Sequence, residues 1–311
     1  MKLFLKIGLL NIFVVLIYAC SKDRLIPNED PFKDKEFENT YNMPLFSKLA
    51  SKSQKITVKN ANDLPIITKK GTKLWLYNEN LLTAQYNAPQ YPFDLEIIEL
   101  YTFAEMILHR KSTVSYSQIL TTGGAIYLNV SKNGVNLSVN SYSPPQIEIP
   151  AKTVDNSMYL FYQGYDNMEQ FTWVAAPKDT IRQTIKEYPL IIGGKNAYEI
   201  FPRQFGWINC DKFSNYTGTK TRVKFTSGSP ALENIVIFMV FPNISSVIQV
   251  YNGESLEVPV GEDAKIVAVA QTKDGQIFSF FLNIKVEEKQ TIEVNLTDTT
   301  EKEFLAALEK L

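Results

Sequence analysis

Residue types able to do chemistry are sparse in this 311-residue chain, and their spacing limits what they can do. Carboxylates are the one reagent that composition leaves open. Asp94, Glu96 and Glu99 fall close together, with Asp94 and Glu96 on one face if the segment is a strand, and Asp166 and Glu169 flank a loop. A glycosidase needs two such groups roughly 5–10 Å apart. Acids at these spacings are equally what a solvated face carries, and that is the reading adopted here. His109 is the sole histidine, so a histidine-rich zinc or iron site is excluded and a serine-histidine-acid triad would have to use this one ring. Its setting, Leu108-His109-Arg110-Lys111, reads as the basic end of a short element. The sequence holds no Walker loop, dinucleotide fingerprint, HExxH pair or nucleophile elbow, and Gly123-Gly124 and Gly193-Gly194 read as turns. No catalytic, cofactor-binding or metal-ligating residue is assigned, and the chain is expected not to be an enzyme. Cys210 stands among Phe205, Trp207 and Phe213, which predicts a buried small hydrophobe with a raised thiol pKa.

The amino end carries a different chemistry. Lys2 and Lys6 precede an apolar run from Ile7 to Ala19, broken only by Gly8 and Asn11 and ending at Cys20. About 13 residues are too few for a bilayer span, which takes roughly 20, and the pattern is that of an export signal over residues 1–19. Ile17-Tyr18-Ala19-Cys20 resembles the lipobox of bacterial lipoproteins. The resemblance implies cleavage before Cys20, a diacylglyceryl group on its sulfur and a further acyl chain such as palmitate on its amine. Two or more chains anchor stably where one does so only marginally. Cys20 is thus the expected lipidation site and membrane contact, and Cys210 is left without a disulfide partner. Ser21 at the next position favours the outer membrane by analogy with lipoprotein sorting.

Removing residues 1–19 leaves 30 basic against 33 acidic residues, a net charge of −3. That surface lacks the basic footprint of a nucleic-acid binder, so no nucleic acid is expected among the partners. A mature chain of this length fits two domains, and its abundant Val, Ile, Thr, Tyr and Phe predict strands.

The clearest predicted unit is a hairpin: Ile126, Leu128 and Val130 alternate with polar residues, Asn133-Gly134 tolerates positive φ, and Val135, Leu137 and Val139 resume the alternation. Phe93 to Leu100 is a strand candidate, against a competing helix from Leu95 to Leu108. Thr102-Phe103-Ala104-Glu105 has capping-box spacing in front of Met106, Ile107 and Leu108. The block from Tyr198 to Phe213 is expected to seal a second core. Asp274-Gly275 marks another hairpin turn, after which Phe278, Phe280, Leu282, Ile284 and Val286 share a face. Thr300 to Glu303 forms a second capping box before a helix presenting Phe304, Leu305, Leu308 and Leu311.

Gly71 to Leu76, Leu95 to Leu100, Leu120 to Leu128 and Ile147 to Pro150 resemble the β-sandwich domain shared by zonula occludens proteins, netrin receptors and ankyrins, in the versions found in Bacteroidetes surface lipoproteins. In that family the domain is a protein-interaction and structural module. Val236 to Phe241, with the strands from Val258 to Leu296, is similar to the prealbumin-type sandwich of carboxypeptidase regulatory domains. The expected fold is all-β: two β-sandwich domains in tandem with a short C-terminal helix. The expected plan is a tether over residues 20–52, a first sandwich over 53–176, a linker over 177–197 and a second sandwich with the helix over 198–311. The expected function is a non-enzymatic, outer-membrane-anchored lipoprotein acting as an envelope protein-interaction or scaffold module. The alternative is a cell-surface glycan-binding lipoprotein that stacks polysaccharide on Tyr162, Tyr165 or Trp173. Asp179-Thr180-Ile181 matches the short pattern of a Bacteroidetes O-glycosylation acceptor.

Overall fold

The computed structural model of the protein describes residues 32–167, 170–176 and 197–311. The signal, Cys20, Glu169, Asp179-Thr180-Ile181, Gly193-Gly194 and nearly all of the expected linker lie outside the described residues. Residues 32–35 form a turn closed by the Lys35 N–H on the Phe32 carbonyl at 3.1 Å.

From Glu36 onward the described chain is all-β. The main strands up to residue 213 are β1 (Gln54–Val58), β2 (Lys73–Trp75), β3 (Phe93–Leu100), β4 (Gln118–Lys132), β5 (Gln146–Pro150), β6 (Tyr159–Tyr165), β7 (Phe171–Ala175), β8 (Ala197–Ile200) and β9 (Gly206–Phe213). Those that follow are β10 (Val236–Phe241), β11 (Ser246–Val250), β12 (Asp263–Gln271), β13 (Ile277–Lys285) and β14 (Thr297–Thr299). Three helices accompany them: α1 (Pro44–Leu49), α2 (Phe103–Leu108) and α3 (Glu301–Leu308). Both capping boxes form, with Thr102 and Glu105 closing the start of α2 and Thr300 and Glu303 that of α3. Phe93–Leu100 is a strand and not a helix, since its residues pair antiparallel with β4 along the whole length. Asn133 and Gly134 take φ of 52° and 78°, the tight turn that their types permit. The return strand is short, Val135–Asn136, and Val135 is exposed while Leu137 and Val139 are buried.

Sheet one runs β1-β3-β4-β9-β6-β7, and sheet two runs β8-β5-β2 and then Ile66–Ile67. Their facing side chains, among them Ile97, Leu128 and Ile208 against Leu74, Ile149 and Tyr198, make a first core. Sheet three runs β11-β10-β12-β13-β14. A second core joins its Phe238, Val240 and Val267 to Leu45 and Phe46 of α1, Ile107 of α2, Phe304 of α3, and the far side of sheet one through Leu120, Phe161 and Trp173. Sheet one is therefore buried on both faces. This explains why β3 reads apolar at both parities near its end, with Ile97 in the first core and Leu100 in the second. The short strands Lys224–Thr226 and Thr291–Glu293 pair in parallel and bring buried Phe225 and Ile292 to the second sandwich.

Three expectations need correction. The block from residue 197 to 213 belongs to the first sandwich: β8 pairs with β5, and β9 sits between β4 and β6. Tyr198, Ile200, Ile208 and Cys210 all point into the first core, so the boundary falls after Phe213 and not at residues 177–197. Residues 36–52 are not a tether. Met43, Leu45 and Phe46 are buried, the Glu38 N–H bonds to the Gln271 carbonyl at 2.8 Å, and the Leu45 N–H bonds to Gln271 Oε1 at 2.9 Å. Gly123-Gly124 is no turn but an irregularity within β4, opposite Cys210. The strand expected after Asp274-Gly275 forms as β13, with Phe278 and Val286 of the shared face buried and Leu282 38% exposed, while Ile277 and Phe281 of the other face pack into the second core.

Candidate functional site

Of the described candidate carboxylates, Glu99 turns to the strand face opposite Asp94 and Glu96. Glu99 turns inward at 2% exposure. Its Oε1 accepts from Thr68 Oγ1 at 2.6 Å and from the Thr72 hydroxyl, and its Oε2 from Gln54 Nε2 at 2.9 Å and the Lys70 N–H at 3.2 Å. So many donors make it a structural tie between β3 and the turn at residues 68–72. Asp94 and Glu96 take the opposite face and accept from Thr57 and Ser53. Asp166 Oδ1 accepts the Gln170 N–H at 2.9 Å, closing a turn.

His109 caps the end of α2, with its Nε2 3.0 Å from Ser51 Oγ and its ring edge-on to Trp207. Burial, and then the positive charge of Lys111, push its pKa down to about 4, so the ring is neutral at pH 7. Cys210 is fully buried, and burial pushes its thiol well up. The aromatic platform proposed from sequence does not exist at those positions. Tyr162 and Trp173 are buried, the first accepting the Arg203 N–H on its hydroxyl at 2.8 Å, the second donating Nε1–H to the Ser112 carbonyl at 2.9 Å. Tyr165 alone, at 61%, is exposed.

The loop after α2 holds the two sandwiches together. Arg110, at φ 53°, donates to the Thr40 carbonyl at 2.6 Å. Lys111 Nζ lies 3.9 Å from the centre of the Phe171 ring and 4.8 Å from that of Trp207, and burial followed by Arg110 pushes its pKa down to about 8. Ser112 Oγ accepts the Gln249 N–H at 3.1 Å, and Thr113 exchanges bonds with Val247 along the edge of β11.

Beside this seam lies a cleft of about 530 Å³. Its walls come from residues within 112–117, the pairs Asp166-Asn167 and Gln170-Phe171, Arg222, and the segment from Gln249 to Leu256. Val114–Ser115 pairs with the start of β4 and leaves Tyr116-Ser117 as a tight turn. Tyr116 takes φ 54°, a left-handed conformation that a tyrosine rarely adopts, and its ring is exposed. Its N–H donates to Thr172 Oγ1 at 2.6 Å. Arg222 and Glu254 approach to 3.9 Å. Gln249 is 6% exposed, yet its side-chain amide makes no hydrogen bond among the described residues. Sequence reading missed this cleft because its walls come from distant segments, and only the turn-forming Asn252-Gly253, at φ 53° and 70°, marks one of them locally.

One carboxyl has a raised pKa, and it lies outside the cleft. Asp211 on β9 is fully buried, and burial pushes its pKa up to about 8 against the opposing pull of the Thr122 hydroxyl, the Asn209 amide and the Gly123 N–H. Asn209 Nδ2 donates to its Oδ2 at 2.5 Å, while Oδ1 has no partner. Among the described residues no group of three or more His, Cys, Asp or Glu is placed to hold a metal ion, and no helix is long and apolar enough to cross a membrane.

No protein-family model matches the chain. No curated protein matches it either. Among solved structures, the crystal structure of Abundant Perithecial Protein from Neurospora crassa aligns with 46% of this chain and 97% of its own, at 10% identity and a TM-score of 0.17. A likeness that slight carries no argument about fold or function.

Proposed function

We propose that the chain is a non-enzymatic lipoprotein, held at the outer membrane through acylated Cys20, that presents its two sandwiches to other envelope proteins as an interaction or scaffold module. The observation that carries this reading is the second core, which draws on both sandwiches and all three helices and so makes one firm body of the described chain from Glu36 onward. Two of the groups that sequence offered for chemistry are engaged structurally, Glu99 by its four donor residues and His109 by Ser51 and Trp207. The signal pattern supports the anchor, and the resemblance over residues 53–173 supports interaction over catalysis. Between Cys20 and Glu36 the reach is then at most about 56 Å, at roughly 3.5 Å per extended residue.

The test is fractionation of a Cys20→Ala variant, together with in-cell crosslinking and mass spectrometry of the parent. Release of the variant from the membrane, with one or two envelope proteins crosslinked stoichiometrically to the parent, is the expected result. A variant still bound to the membrane refutes the anchor, and recovery of the parent alone refutes the scaffold.

A further inference from the structure

We infer that the cleft between the Tyr116-Ser117 turn, the pairs Asp166-Asn167 and Gln170-Phe171, and the Gln249 to Leu256 segment is a binding site for a neutral carbohydrate. Its volume, about 530 Å³, falls in the range of small-molecule sites, roughly 300–1,000 Å³. The strongest sign of a missing occupant is Gln249. The residue is more than nine-tenths buried and lines the cleft, and its amide, without a hydrogen-bond partner among the described residues, is left for solvent or a ligand to satisfy. Half-buried Gln170 and exposed Asn252 also line the cleft, and their side-chain amides make no hydrogen bond among the described residues. An amide carries a carbonyl acceptor beside an NH₂ donor, and a sugar hydroxyl is both donor and acceptor, so neighbouring hydroxyls satisfy such a group at both ends.

Tyr116 is the second sign. A left-handed tyrosine at a tight turn is a place where asparagine or glycine would fold with less strain, and strain of this kind collects where a side chain is held for a task. Here it holds an exposed ring at the mouth of the cleft, the flat apolar surface that the C–H face of a sugar ring packs against. The charges argue for neutrality: Arg222 faces Glu254, and Asp166 adds a further acid, so an anionic sugar finds no unopposed cation there. The site depends neither on the anchor at Cys20 nor on a protein partner.

The experiment is saturation-transfer NMR on the full lipidated chain in detergent, with maltotriose, cellotriose, xylotriose and mannotriose as neutral probes and trigalacturonate and trialanine as counter-probes. At least one neutral trisaccharide is expected to bind. Tyr116→Ala and Gln249→Met are each expected to weaken it by roughly tenfold or more, while Tyr165→Ala, outside the cleft, leaves it unchanged. Met fills the volume of Gln249 and gives up no intramolecular hydrogen bond, so that variant stays folded even if Tyr116→Ala does not. Failure of all four neutral probes at millimolar concentration overturns the proposal. Equal or tighter binding of trigalacturonate or trialanine does so too, as does binding indifferent to Tyr116 and Gln249. A Cys20→Ala chain that binds sugar while free of the membrane separates this result from the fate of the anchor.

Discussion

The Asp211→Asn substitution is expected to change the sign of its effect on stability with pH. The Asp211 carboxyl titrates at about 8 in the folded protein and near its ordinary 3.8 in the unfolded chain. A raised acid contributes its full stability below the unfolded value and loses it as pH rises toward the folded one. At about 1.4 kcal/mol per pH unit, keeping the proton at pH 7 costs the folded state up to about 4 kcal/mol, and asparagine removes that cost. Against this, the amide introduced at position 211 puts two N–H groups where the protonated acid carries one O–H on the partnerless Oδ1, one further unpaired buried donor worth about 1–3 kcal/mol. At pH 8 the cost of the proton is about 5 kcal/mol, so the variant should be less stable than the parent by about 1–2 kcal/mol near pH 4 and more stable by roughly 2–4 kcal/mol near pH 8, with a crossing between. Urea unfolding of both proteins across that window measures the difference, and titrations common to both cancel. Two parallel curves, offset equally at acid and alkaline pH, would refute the claim that this carboxyl is held protonated by burial.

Other substitutions probe other parts of the fold. Glu99→Ala removes the acceptor for Thr68, Thr72 and Gln54 in a buried setting and should cost about 3 kcal/mol or more, read as a lower urea midpoint at unchanged slope. Gly123→Ala puts a methyl group 2.7 Å from the Tyr198 ring and 2.9 Å from the Cys210 carbonyl, and the loss of about 1–3 kcal/mol should appear as a lower thermal midpoint; an unchanged midpoint would mean that β4 has room to spare. Tyr116→Asn relieves the left-handed tyrosine and should raise stability by about 0.5–1 kcal/mol while weakening the sugar binding proposed for the cleft. A gain in stability with binding intact would separate the strain from the site.

What the sequence made legible was local chemistry. The capping boxes at Thr102 and Thr300 and the turns at Asn133-Gly134 and Asp274-Gly275 are set by residues within a few positions of each other, and each stands in the structure as read. What stayed hidden was the choice of partner. Nothing in Gly206–Phe213 announces that it pairs with Ile126 and Leu160 and not with the strands that follow it. The apolar residues Met43, Leu45 and Phe46 looked like part of a charged spacer because the surface they cover belongs to sheet three and α2. The cleft was invisible for the same reason, since Tyr116, Gln170 and Gln249 meet only after both sandwiches are assembled.

The place of β9 in sheet one also bears on the order in which the chain can fold. Emerging from its amino end, the chain can pair β3 with β4 and β6 with β7, but β4 and β6 then face each other across a gap that only residues 206–213 fill. Until that segment arrives, two apolar strand edges stay open, the state most prone to join with a neighbouring chain. Closing the sheet also waits on a contact far along the sequence, which slows it. A chain cut short before Phe213 would be left with an open seam through its central sheet, and a holding chaperone would be needed longest while that one strand was still to come.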